Sequence, residues 1–354
     1  SVGKREMKDA AAFATECLMR FQTKRGAGSI LCVVEDHLLM WSNWMDKIFK
    51  NKHFKPTKVD IKQFTQDPRF LSSGICRVLK IEGKTDYEGR SKRYNVKTLI
   101  DKIMKAWNER IVNFTPQMVS RWSVNCRIDE KSISLPLTKR VFGIVDLDHG
   151  PRENDPRMLI PGLFRTDPRD IESTMFNTDT QNIFTELEIP HEMDSTIRSI
   201  ASKLTQCRDI LVKNKPDSIG KLHFAFRTQK DAKKIHKILL YDEETQSVSI
   251  NFHNLWSSIE NQISKKVSSL DERKKIEQEM SRVISSENHI NNFNGHILVG
   301  VLHYVAMTSN NGTNNLGEFT TMFDTCIDGM HDQFVTSEMG SDLIDWFSDS
   351  DEEE

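Results

Sequence analysis

Two aspartates at the end of one predicted strand are the strongest candidates for chemistry in this sequence. The segment Val141–Gly150 is an apolar run that ends in Asp146 and Asp148. Because side chains alternate along a strand, both carboxylates leave it on the same face. Paired carboxylates of this kind bind Mg²⁺ for phosphoryl transfer or nuclease chemistry, with His149 as a candidate base. The competing interpretation is structural, since Asp-His-Gly-Pro is also a good turn sequence.

A second acidic segment, Val34-Glu-Asp-His37, follows an earlier apolar run. Glu35 and Asp36 are weaker candidates for metal ligands, and Asp36 is interpreted instead as the N-cap of a helix that begins at Leu38. The sequence contains no convincing phosphate-binding glycine loop, no GxSxG and no HExxH, and its cysteines are too widely spaced for a zinc site. The preferred interpretation therefore includes no cofactor, with Mg²⁺ at Asp146 and Asp148 as the alternative.

Charge is segregated along the chain although the net charge is only -2. Residues 47–140 carry 22 basic and 9 acidic side chains, a net charge of +13. Such an excess predicts a polyanionic partner, because phosphate contacts supply most of the non-specific affinity for nucleic acid. Aromatic rings interleaved with the basic residues favour unpaired bases, on which they can stack. An acidic protein, a lipid headgroup and plain solvation are the alternatives. The predicted nucleic-acid-binding residues are Arg90, Lys92, Arg93, Tyr94, Lys97, Lys52, Lys55, Lys58 and Arg69.

The C-terminal segment 337–354 has the opposite charge, with 8 acidic and no basic side chains. That composition predicts a flexible tail. Its apolar residues indicate that it docks on another surface. That surface is either a groove formed by the basic segment 47–140, where the tail would act as a nucleic-acid mimic, or a neighbouring subunit. A plain solubility tail is the alternative. The predicted docking residues are Leu343, Ile344, Trp346 and Phe347.

The cellular compartment is predicted from the cysteines and the apolar runs. Six dispersed cysteines indicate a reducing environment, and the first residues show no signal-peptide pattern. The longest apolar run, 297–307, is too short to span a bilayer. We therefore expect a cytoplasmic protein with no membrane association.

The elements that position these residues are predicted from apolar periodicity. Helices are predicted over 38–49, 96–113 and about 194–213, strands over 132–137 and 141–147, and a hairpin at 238–252. This pattern predicts an α+β, helix-rich fold with a small, mostly antiparallel sheet in the central and C-terminal part. The predicted regions are 1–150 for nucleic-acid binding, 151–336 as a mixed core and assembly region, and 337–354 as the tail.

The function that this pattern favours is binding of single-stranded nucleic acid, RNA in particular. The chain would be a self-associating, non-catalytic protein of the viral nucleoprotein or replication-matrix type, regulated by its acidic tail. Two other functions are kept open. One is a metal-dependent nuclease or phosphotransferase that uses Asp146 and Asp148. The other is a scaffold that binds acidic proteins.

Overall fold

The computed structural model describes most of the chain in fourteen stretches. They are residues 11–12, 15–16, 28–60, 75–82, 84–87, 90–93, 96–115, 117, 122–147, 160–214, 237–265, 267–287, 291–310 and 315–348. The chain divides into two compact units. The first comprises Ser1–Asp146, Arg152–Thr166 and Phe334–Glu354, and the second comprises Leu147–Pro151 and Asp167–Gln333.

Up to Thr166 the first unit contains nine strands and two long helices, counting the described residues only. Apolar residues at helical spacing form the helices predicted near residues 38 and 96, and both predictions are confirmed. In chain order the elements are β1 (Leu31–Val34), α1 (Leu38–Ile48), β2 (Phe54–Asp60), β3 (Cys76–Glu82), β4 (Lys84–Tyr87), β5 (Arg90–Arg93), α2 (Val96–Ile111), β6 (Val124–Ile128), β7 (Lys131–Leu135), β8 (Val141–Asp146) and β9 (Leu163–Thr166).

The second unit is helical apart from one hairpin, as far as the structure describes it. Its elements are α3 (Ile171–Thr178), α4 (Thr180–Glu186), α5 (Asp194–Asn214), β10 (Leu239–Asp242), β11 (Ser247–Ile250), α6 (Phe252–Ser264), α7 (Leu270–Ser285), α8 (Gly295–Asn310), α9 (Leu316–Gly329) and α10 (His331–Thr336). The last helix, α11 (Glu338–Ser348), belongs to the first unit, whereas the residues of α10 are divided in the sequence, with Gln333 the last of the second unit and Phe334 in the first.

A five-stranded parallel sheet forms the centre of the first unit, in the order β2-β3-β1-β8-β9. The prediction of a mostly antiparallel sheet in the central and C-terminal part is therefore wrong. The antiparallel pairs in the described residues are the two-stranded β4–β5, β6–β7 and β10–β11. A parallel strand covered on both faces lacks the alternating pattern that identifies a half-exposed strand. In addition, the lysines of β2 and β3 made these strands resemble a basic surface.

Helices cover both faces of this sheet. One face packs on α2, with Leu99, Ile103 and Trp107 buried against strand residues such as Val33 and Leu79. The other face carries α1, which packs on β2 and β3, and α11, which packs on β9. The sheet is therefore the middle layer of a three-layer arrangement.

The predicted flexible tail is a helix over Glu338–Ser348. Leu343 and Phe347 are buried, and the Phe347 ring lies 5.0 Å from the rings of Phe49 and Phe142. Apolar burial of one helix face offsets the cost of ordering an acidic segment. The residues after 348 lie outside the described part of the chain.

In the second unit, one buried carboxylate joins two helix starts. Asp170 accepts hydrogen bonds from the Ser173 N–H at the start of α3 (2.9 Å) and from the Gly295 N–H at the start of α8 (2.7 Å). The Asn294 side chain donates a third at 3.1 Å. Burial and the neighbouring Glu172 raise the pKa of Asp170 to about 6.

Within the described residues, no helix combines the length and the apolar character that crossing a membrane requires.

Candidate active site

The order of the parallel strands identifies one edge of the sheet as a candidate site. From β1 the next strand in the sequence, β2, lies on one side, whereas from β8 the next strand, β9, lies on the other. β1 and β8 are neighbours, so the strand order reverses between them. Ligands of open α/β sheets bind in the crevice outside the carboxyl ends of the strands at such a reversal.

Two acidic residues are neighbours at this reversal. Glu35 follows β1 directly, and Asp146 is the last residue of β8. The Asp146 N–H donates a hydrogen bond of 3.3 Å to Oε2 of Glu35, and the Glu35 N–H donates one of 3.3 Å to the carbonyl of Ile144. Both side chains are half-buried. These bonds join the Glu35 carboxylate to the backbone of Asp146 and make the two acidic residues neighbours at the carboxyl edge of the sheet.

Thr166 fixes the orientation of Asp146 from the next strand. Asp146 and Thr166 are paired in the register of β8 and β9, and Thr166 Oγ1 donates a hydrogen bond of 3.2 Å to Oδ1 of Asp146. Thr166 is 1% exposed. On the opposite face of β9, Arg165 forms a buried ion pair of 3.0 Å with Asp101 of α2. The strand that supports Asp146 is thereby held to the helix behind the sheet.

Asp36 contributes a third carboxylate and an ion pair. Its Oδ1 accepts hydrogen bonds from the His37 N–H (3.0 Å) and from Lys80 Nζ of β3. The prediction that Asp36 caps α1 is wrong, because the N-cap is His37, which has a positive φ of 52° and no side-chain cap. Asp36 instead forms an ion pair with the ammonium group of Lys80 on the neighbouring strand β3. Lys80 compensates part of the negative charge at this edge.

The donors suit a hard divalent cation. Carboxylate oxygens are the ligands that Mg²⁺ and Mn²⁺ prefer. The described residues contain no group of three His, Cys, Asp or Glu side chains placed to hold a metal ion. Glu35 and Asp146 would supply two ligands, and the predicted metal ligand Asp148 and His149 lie outside the described residues.

Cysteine chemistry does not fit this edge. Cys32 of β1 and Cys76 of β3 are buried, and desolvation raises the pKa of both thiols. Each therefore stays protonated at neutral pH, and a protonated thiol is a poor nucleophile.

The predicted nucleic-acid-binding residues are spread over several elements. Lys55 and Lys58 are exposed on β2, and Lys52 is half-buried just before it. Lys97 is 8% exposed on α2, which leaves it poorly placed for phosphate contacts. Arg90, Lys92 and Arg93 lie on β5 of the β4–β5 hairpin. Tyr94 and Arg69 lie outside the described residues.

The predicted docking residues of the tail lie on α11. Leu343 and Phe347 are buried, whereas Ile344 and Trp346 are half-buried. The Trp346 ring lies 5.4 Å from the Phe164 ring, and Lys139 Nζ is 5.9 Å from its centroid. All four residues belong to the same unit as the sheet.

Sequence analysis missed Thr166 and Lys80 as parts of the site. Neither residue belongs to a motif, and each reaches the site only through strand register. The pattern of an apolar run followed by acids did mark Glu35 and Asp146 separately, but it gave no sign that they are neighbours.

Comparisons of the chain with protein-family models, curated proteins and solved structures find no match. The evidence on its function therefore comes from the geometry of the candidate site and from the sequence.

Proposed function

We propose that the first unit is a divalent-cation-dependent phosphoryl-transfer centre that hydrolyses phosphodiester bonds in nucleic acid. The observation that carries this proposal is the hydrogen bond from the Asp146 N–H to the Glu35 carboxylate, which makes the two acidic residues neighbours where the order of the parallel strands reverses. A pair of carboxylates in a ligand-binding crevice is a natural site for Mg²⁺ or Mn²⁺.

Each residue has a defined part in the proposed reaction. Glu35 and Asp146 would bind the cation, and Thr166 holds Asp146 in position. When bound, a divalent cation would supply a water of lowered pKa and would neutralise negative charge on the phosphate. The water oxygen forms a new bond to phosphorus as the bond to the departing sugar oxygen breaks. The water proton passes to a base, for which His149 is the candidate that the sequence offers.

The proposed substrate class comes from charge. The segment 47–140, which carries the net charge of +13, lies in the sequence between Glu35 and Asp146 and supplies strands β2 and β3 of the same sheet. A basic segment in the sheet of a cation-dependent centre favours a polymer of phosphates over an uncharged substrate.

Stoichiometric binding of single-stranded RNA is a second candidate function. The β4–β5 hairpin favours it, because a two-stranded ribbon with Arg90, Lys92 and Arg93 on one strand can track a phosphate backbone. Under this alternative the carboxylates at the sheet edge have no catalytic part. Self-association and control by the acidic C-terminus stay predictions under either function.

One assay separates these functions. The full chain is incubated with labelled single-stranded RNA and DNA in Mg²⁺, in Mn²⁺ and in EDTA. We expect cleavage with a divalent cation and loss of cleavage in Asp146→Asn and Glu35→Gln. Glu109→Gln, an exposed carboxylate near the end of α2, is the matched control and should cleave normally.

The other outcomes are equally clear. Binding without cleavage under all conditions overturns the catalytic proposal and leaves RNA binding. Neither binding nor cleavage leaves the scaffold that binds acidic proteins. Cleavage that survives in both Asp146→Asn and Glu35→Gln places the active site elsewhere in the chain.

A further inference from the structure

Two lysines lie side by side next to the candidate active site. Lys58 of β2 and Lys80 of β3 are partners in the parallel register, so their side chains leave the sheet on the same face. Lys58 is exposed, and the Lys80 side chain is 24% exposed. The Asp36 carboxylate pairs with Lys80, and the exposed Lys58 extends the positive charge across the neighbouring strand on this face.

These lysines share a face with the carboxylate site. Lys80 is paired with Val34 of β1, and Val34 with Ile144 of β8. Asp146 follows two residues after Ile144 and therefore projects to the same face, as does its partner Thr166. Along the strand direction, Lys58 and Lys80 are at the level of Ile144, two residues before Asp146. Asp36, which follows Glu35, forms an ion pair with Lys80.

Protection of a sheet edge is the competing explanation for lysines on β2. Lysines on an edge strand prevent pairing with another chain, and β2 is an edge strand. That explanation applies to Lys55 as well as to Lys58. It does not apply to Lys80, because β3 is paired on both sides.

The distance across the strands indicates how long a ligand must be to contact both the carboxylates and the lysines. Neighbouring strands are about 4.8 Å apart, so Lys80 lies about 10 Å and Lys58 about 14 Å from Asp146 across the sheet. These are separations between strand backbones, and of the two lysines Lys58 is the one farther from a phosphate bound at the carboxylates. A nucleic-acid strand whose cleaved phosphate lies at Glu35 and Asp146 does carry further phosphates over that distance.

We infer that Lys58 and Lys80 form a phosphate subsite that holds the backbone of a polynucleotide beside the cleaved bond. This inference rests on the proposed function and extends it to a polymeric substrate. Asp36 orients Lys80 in the subsite. Lys55, paired with Arg77 on the opposite face, lies outside it.

The salt dependence of binding tests the subsite independently of catalysis. Binding of the full chain to a labelled single-stranded oligonucleotide is measured by fluorescence anisotropy in EDTA over a salt series. Each phosphate contact that is lost reduces the slope of log K against log salt by about 0.7. We expect this reduction in Lys58→Gln and in Lys80→Gln. Lys55→Gln removes the same charge from the opposite face of β2 and tests for a general field effect.

Two results overturn the subsite. One is an unchanged slope in Lys58→Gln, and the other is an equal reduction in Lys55→Gln and Lys58→Gln, which indicates diffuse attraction. The cleavage assay tests the proposed function, whereas the salt dependence of binding tests the subsite. A reduced slope in a chain that never cleaves supports the subsite and overturns the proposed function, whereas cleavage with unchanged slopes does the reverse.

Substrate length gives a second readout if the wild-type chain cleaves. In Lys58→Gln we expect the ratio of kcat/KM for the oligonucleotide to kcat/KM for bis(p-nitrophenyl) phosphate to fall by up to about fivefold. The small phosphodiester has no neighbouring phosphate to place on the lysines. An unchanged ratio overturns the inference.

Discussion

Thr166 donates a hydrogen bond of 3.2 Å to Asp146 from the neighbouring strand of the sheet. The bond engages Oδ1 of Asp146 and favours one orientation of its carboxylate. A group of this kind orients a metal ligand without touching the metal.

The first prediction concerns this hydrogen bond. Thr166→Val keeps the shape of the side chain and removes the donor, so we expect about a tenfold rise in the Mg²⁺ concentration that gives half-maximal cleavage. Thr166→Ser retains the hydroxyl and should behave as the wild type does. A valine variant with wild-type Mg²⁺ dependence would remove Thr166 from the site, and a thermal melt of each variant controls for misfolding.

The second prediction concerns Asp170 and pH. The raised pKa means that the folded protein binds the proton of Asp170 more tightly than the unfolded chain does, so folding is favoured at low pH. This contribution is complete below the ordinary pKa of 3.8 and is lost as the pH rises through about 6. We expect Asp170→Asn to flatten this pH dependence, measured by urea unfolding between these two pH values. An identical pH dependence in the variant would assign the effect to another group.

Asp170→Asn should also destabilise the protein by about 1–3 kcal/mol, because one acceptor for the buried N–H groups is lost. Glu172→Gln removes the neighbouring charge that helps to raise the pKa of Asp170. In that variant the midpoint of the pH dependence should move to lower pH. A midpoint that stays near 6 would mean that burial alone raises the pKa.

The third prediction compares two glycines in the second unit. A Cβ atom at Gly295 would lie 2.6 Å from Cβ of Glu172 and 2.7 Å from Oδ1 of Asp170, whereas a Cβ at Gly329 has no atom within 4 Å. We expect Gly295→Ala to lower the free energy of unfolding by about 1–3 kcal/mol. Gly329→Ala should be neutral or stabilising by up to about 1 kcal/mol. Equal effects of the two changes on urea unfolding would contradict the tight packing at Gly295.

The fourth prediction concerns the C-terminal helix. Phe347 is buried against Phe49 and Phe142, so Phe347→Ala should destabilise the protein by about 3–5 kcal/mol. Asp345→Ala, an exposed position on the same helix, should change the unfolding free energy little. Thermal unfolding of both variants measures the difference. A flexible tail would instead tolerate both changes.

Much of the local structure was accessible from the sequence because it depends on short-range patterns. Apolar residues at helical spacing predicted α1, α2 and α5, and the turn between two short apolar runs predicted the β10–β11 hairpin. The acids at residues 35 and 146 were marked because each follows an apolar strand. The strands β2 and β9 were not predicted, since a basic edge strand and a four-residue strand after a proline-rich stretch lack a periodic signal.

By itself the sequence determined the helices α1, α2 and α5, the segregated charge and the separate positions of the acidic residues, because each of these depends on neighbours along the chain. Only the tertiary structure decided that the sheet is parallel and that Glu35 and Asp146, 111 residues apart, are neighbours. The same is true of Lys58 with Lys80 and of the place of the acidic C-terminal helix. These relationships follow from strand order and register. Burial of long-range apolar surface selects that order and register, and no local pattern encodes it.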